Sequence, residues 1–127
     1  MHATPIYAGL LGLMAVALTV MVIRQRGRLR VAFGDGQDKL LQRAIRAHGN
    51  FVETAPLCLL LIALAEWQGT AVWLVHLLGA ALVVGRGLHG FGISQEPETL
   101  IYRQSGMLLT FTVMVAASVA CLVGSVL

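Results

Sequence analysis

Four residues in the second quarter of the chain, Arg43, Arg46, Asn50 and Glu53, are charged and polar types that can take part in holding an anionic ligand. On a helix advancing about 100° per residue they fall within an arc of roughly 80°, one stripe down a single face. Two guanidinium groups offer planar donors for an anion, and Glu53 needs a cationic or amine partner. Glu53 lies three residues before Pro56 in an apolar stretch, where a lone carboxylate is expensive unless protonated or paired. Arg86 is the expected partner. Arg86 and His89, three residues apart, share one face of the next helix, and Arg103 stands at the start of the last with Tyr102, Gln104 and Ser105 beside it. Three helices thus bring cations to one level, which is the arrangement for holding an anion.

The elements that carry these residues follow from composition. Of 127 residues 57% are hydrophobic and 12% charged, and the mean hydropathy of +0.81 belongs to a bilayer protein. Uncharged stretches give four transmembrane helices, over residues 6–23, 40–67, 70–90 and 104–127, in an all-α, integral membrane four-helix bundle read as a single domain. The second helix begins polar and emerges from the membrane at its N-terminal end. Gln68 to Thr70 makes a tight turn, so helices two and three form an antiparallel hairpin, and residues 91–103, with Gly92, Pro97 and two glutamates, read as a loop. Helix one is followed at once by Arg24, Arg26, Arg28 and Arg30 and has no small-residue cleavage site, so it is expected to stay in the mature protein.

Net charge is +3, but seven of the nine Lys and Arg lie between Arg24 and Arg46. A cluster of that kind beside a membrane helix fits topology, lipid headgroups and anion binding rather than nucleic acid. The basic residues flank the first and third connections, which places that side in the cytoplasm with both termini outside. Cys58 and Cys121 lie in apolar stretches with no metal-ligand spacing, so neither a metal nor a disulfide is expected. His76 reads as a bundle histidine, Glu66 as a solvated surface charge, and Gly85, Gly87, Gly90 and Gly92 as sites of close helix approach.

The run R-A-H-G-N-F-V-E-T-A-P, Arg46 to Pro56, resembles the helix-two signature of the MAPEG family, the membrane-associated proteins in eicosanoid and glutathione metabolism. The likeness continues through V-G-R-G-L-H, Val84 to His89, and Arg103, and R-V-A-F-G-D-G with the short length looks like the bacterial inner-membrane branch. The resemblance implies a homotrimer with glutathione as co-substrate between protomers, near the cytoplasmic side. Arg46, Asn50 and Glu53 would hold it, helped by Arg86, His89 and, from helix one, Arg28. Arg103 would stabilise the thiolate that attacks a lipophilic electrophile. Gln104 and Met107 stand where the prostaglandin synthase branch has a serine and a tyrosine, Ile93 replaces another tyrosine, and Gly49 stands for an arginine, which leaves Ser105 or Tyr102 to supply a hydroxyl. The function expected is a glutathione-dependent transferase or peroxidase. The alternatives are a non-catalytic lipid-binding or scaffold protein of the same fold and, since it too has four helices and a membrane glutamate, a small multidrug transporter.

Overall fold

A computed structural model of the protein describes residues 3–126. Four helices follow one another: α1 Thr4–Leu29, α2 Lys39–Trp67, α3 Val72–Ser94 and α4 Leu100–Val126, with no strand among the described residues. All four are long and apolar enough to cross a membrane, and the chain is an integral membrane protein. Leu127, the expected end of the last helix, lies outside the described residues.

The helices exceed the uncharged stretches because polar residues continue a helix beyond the hydrocarbon. Arg24, Arg26 and Arg28 complete α1, which ends where Arg30 turns into the left-handed region at φ 55° and the Val31 N–H donates to the Arg26 carbonyl at 3.1 Å. Asp38 then caps α2, its carboxylate accepting from the Leu41 N–H at 2.9 Å, and Arg28 holds the same carboxylate at 2.9 Å. The α2–α3 turn closes over Gly69, at φ +93°.

The third connection differs most from expectation. Residues 91–94 belong to α3 and 100–103 to α4, leaving only 95–99 between them. Glycine weakens an isolated helix, but in a bundle it lets two backbones meet. A Cβ on Gly92 would fall 2.6 Å from the Arg103 N, and one on Gly106 would fall 2.5 Å from both the Gly85 O and the His89 N. Gly92, counted in the expected loop, and Gly85, expected at a close helix approach, therefore lie with Gly106 on the contact surface of α3 and α4, and this contact brings His89 beside the start of α4.

α3 packs against all three other helices, whereas α1 and α4 lie on opposite sides and do not meet. Leu11, Phe51, Cys58, Ile62, Val75, Leu82 and Val113 share one apolar core. Large apolar side chains such as Leu13, Leu108 and Leu122 point outward, as a lipid-facing surface requires.

Candidate functional site

At the end of the bundle where α2 and α4 begin and α3 ends, the stripe on α2 meets α3 and α4. Arg46 reaches two turns along its own helix and grips both carboxylate oxygens of Glu53, at 3.2 and 3.1 Å. The expected pairing of Glu53 with Arg86 is thus replaced. The stripe that aligns Arg46 with Glu53 turns both outward, with 57% and 53% of their side chains exposed, while Arg86 points into the bundle.

Arg86 is 1% exposed. Its Nη2 donates to the Asn50 Oδ1 at 2.7 Å and to the His89 Nδ1 at 3.0 Å, and its Nη1 to the Thr110 Oγ1 at 3.4 Å, with the Met107 Sδ at 3.5 Å. The Phe51 ring lies 5.9 Å from the guanidinium carbon. Because a guanidinium only donates, the His89 Nδ1 must accept, so the neutral ring carries its proton on Nε2. All these partners are neutral, and the buried Arg86 Nε has no hydrogen-bond partner among the described residues.

A second group of charges lies beside the first. Glu98, from the α3–α4 connection, accepts from the Arg103 Nη1 at 2.9 Å and from the Arg43 Nη1 at 3.2 Å. Arg43 also approaches Glu96 at 3.6 Å and donates to the Ile93 carbonyl at 3.4 Å. The hydrogen bond from Arg103, reinforced by Arg43, holds the Glu98 carboxyl below the usual glutamate range. An open cleft of about 250 Å³ lies among Lys39, Gln42, Arg43, Arg46, Ile93 and Arg103.

The structure therefore joins Arg46 to Glu53 and Asn50 to Arg86 and His89, and sets Arg46 and Arg103 on one cleft. Arg28 is elsewhere, bonded to Asp38 and, at 2.8 Å, to Gln25. The Leu41 N–H, with Arg28, lowers the Asp38 carboxyl from its ordinary value. Of the two candidate hydroxyls, Ser105 donates to the Tyr102 carbonyl at 3.2 Å, and the Tyr102 ring meets Phe91 edge-on at 5.5 Å. Glu96 and Glu98 were not among the expected site residues. Their signal was an acidic pair just before a helix with an arginine in its first turn. Thr110 carried no signal, since one turn of an apolar helix does not say which side faces Arg86, and Met107 was singled out only as standing in place of a tyrosine.

The opposite end of the bundle holds polar residues of another kind. Glu66, expected to be solvated, accepts from the Ala3 N–H and, at 3.1 Å, from the Thr4 N–H, capping α1. His76 lies one turn into α3, and its Nδ1 is 2.7 Å from the Tyr7 hydroxyl.

The model of the MAPEG family matches residues 4–123 of the chain. Over 106 residues, 84% of this chain and 79% of the relative, the sequence is 39% identical to the inner membrane protein YecN of Escherichia coli strain K12 and equally to that of strain O6:H1.

Proposed function

The chain belongs to the MAPEG family, and from that premise we propose that it is a glutathione-dependent transferase or peroxidase of the inner membrane, acting on lipophilic electrophiles. One observation carries the reading: the Arg46–Glu53 pair stands outward from a membrane-spanning helix. An exposed ion pair adds little to stability, roughly 0.2–1 kcal/mol, and exposing it to lipid is unfavourable. It is, however, complementary to a zwitterionic peptide, whose carboxylates would take Arg46 and whose ammonium would take Glu53. Asn50, held by Arg86, and His89, held in its neutral tautomer, supply neutral hydrogen-bonding groups beside the pair. Arg28 is assigned an outlying contact, reached only if the ligand extends to the α2 N-cap.

Arg103 is the activating residue in this reading. A free thiol has a pKa of about 8.5, and a guanidinium within about 4–6 Å lowers it by about 1–3 units. The thiolate attacks the electrophilic carbon, a sulfur–carbon bond forms, and the displaced electron pair leaves with the leaving group or is protonated by water. With a hydroperoxide, the thiolate takes the terminal oxygen as the O–O bond breaks and the alkoxide leaves to be protonated to the alcohol; a second glutathione then displaces that oxygen as water and completes the disulfide. The electrophile enters laterally from the bilayer, so the protein contributes placement and charge. The reading includes one domain, a homotrimer whose interfaces cover the outward pair, a cytoplasmic site and external termini.

The test is ultraviolet difference absorbance at the thiolate band during glutathione titration of the detergent-purified protein and of Arg103→Ala. A saturable signal in the parent that vanishes in the variant is expected. Binding without that signal would make the protein a binder rather than a transferase, and absence of binding would end the glutathione assignment.

A further inference from the structure

Each arginine on the cleft is already engaged by a carboxylate of the chain itself: Arg46 by Glu53, Arg43 by Glu96 and Glu98, and Arg103 by Glu98. These carboxylates are not equivalent. Glu53 is built into α2, whereas Glu98 belongs to the connection 95–99 and bridges two guanidinium groups from different helices. Its side chain is 17% exposed, against 43% for Arg103, so it lies deeper than one of the cations it neutralises.

We propose that Glu98 is an internal competitor for the anion site, a carboxylate that occupies Arg103 and Arg43 and must be displaced before a ligand's anionic group engages them. An anion entering the cleft meets Arg103 and Arg43 with their best donors already used. A carboxylate or thiolate replaces the Glu98 contacts at little net change, because one charge-assisted hydrogen bond is exchanged for another. A neutral group loses both bonds and restores none. Glu98 thereby selects for anionic ligands while lowering the affinity for all of them, and it keeps Arg103 from binding stray solutes between turnovers. Displacement requires no movement of a helix, since Glu98 projects from the connection. The inference rests on the cleft being an anion site and, for the natural ligand, on the glutathione reading above.

The test is calorimetric titration of the full detergent-purified chain with glutathione and, separately, with inorganic sulfate, in the parent, Glu98→Gln and Glu96→Gln. The glutamine keeps the shape and removes the charge. Two partly exposed bridges released together are expected to tighten both anions about three- to tenfold. Glu96→Gln gives up only the 3.6 Å approach to Arg43 and is expected to change affinity less than twofold. Unchanged or weaker binding of both anions in Glu98→Gln would overturn the inference and make Glu98 a brace for the connection. Should Glu98→Gln fail to fold, Glu98→Asp carries the same test: one methylene shorter, it is unable to span both guanidinium groups, and its affinities are expected above the parent's. Sulfate tightening without glutathione binding in any protein would keep Glu98 and end the glutathione reading. Glutathione binding that ignores Glu98 would do the reverse, and no anion binding in any protein would overturn both.

Discussion

The two ends of the bundle contain similar residues put to different uses. At the end where α1 begins, Glu66 caps two backbone N–H groups and Tyr7 meets His76, so these side chains complete the ends and contacts of helices. At the other end, Arg46 and Glu53 are paired with one another, Arg86 is buried among neutral partners, and Glu98 bridges two cations beside an open cleft. Removing a residue at the first end should cost stability and leave ligand binding alone. Removing an outward charge beside the cleft at the second should do the opposite, except where the change touches the α3–α4 contact.

That exception gives the largest expected effect. A Cβ on Gly106 would lie 2.5 Å from two backbone atoms of α3, neither at the end of a flexible side chain, so α4 must move away from Arg86 and His89. Gly106→Ala is expected to lose roughly 3 kcal/mol, at the upper end of ordinary overpacking, and to lose glutathione binding as well. Gly9→Ala, with nothing within 4 Å of the added atom, is the control and should melt like the parent or slightly above it. Circular dichroism melts in detergent check both. Equal melting of the two variants would mean that α3 and α4 do not meet this closely.

The next effect is on binding alone. Arg46→Gln and Glu53→Gln each break a pair that is more than half exposed and so should change stability by less than about 1 kcal/mol. Each should weaken glutathione binding at least about tenfold, because a charge-assisted contact to the ligand disappears. Calorimetric titration beside melting curves separates the two quantities. A large fall in melting temperature with unchanged affinity would move this pair into the class of Glu66 and dissolve the contrast between the ends.

At the opposite end the sign reverses. Glu66→Gln should lose about 1 kcal/mol by removing a negative charge from the positive end of α1, and Tyr7→Phe a similar amount by unpairing His76. Neither should alter glutathione affinity. Hydrogen exchange over the first turn of α1 is the sensitive readout for Glu66→Gln, since the Thr4 N–H loses its charged acceptor.

The sequence revealed this contrast only partly. The four spans were legible because uncharged runs that long have one physical use, and the α2 stripe because 100° spacing puts Arg46, Asn50 and Glu53 on one face whatever surrounds them. Which cation meets Glu53 was not legible. The choice between Arg46 and Arg86 depends on which way each helix is rotated, and an apolar pattern exposed to lipid does not encode that as it does in water. The role of Glu66 was hidden for a related reason, since its partners are backbone groups of a helix 62 residues away. The connection 95–99 was overestimated because Gly92, a helix breaker in solution, lies within α3, where it lets α4 approach closely.

The smallest effect concerns pH and compares two carboxylates at the same end, both outside the spanning helices. Asp38 is held below its ordinary 3.8 by the Leu41 N–H and Arg28, and Glu98 below its ordinary 4.5 by Arg103 and Arg43. Both folded-state values are depressed, so the stability they confer is fully present above those ordinary values and is lost as pH falls through the lowered ones. The melting temperature should therefore be insensitive to these groups between pH 7 and about 5 and fall below about 4. Asp38→Asn should flatten that acid limb, because Asp38 ties α1 to the start of α2. Glu98→Gln should flatten it less, because a competitor contributes to the fold only until a ligand replaces it. An acid limb governed mainly by Glu98 would show that the bridge from Arg103 to Arg43 holds the bundle together, and would place it with the caps of the opposite end.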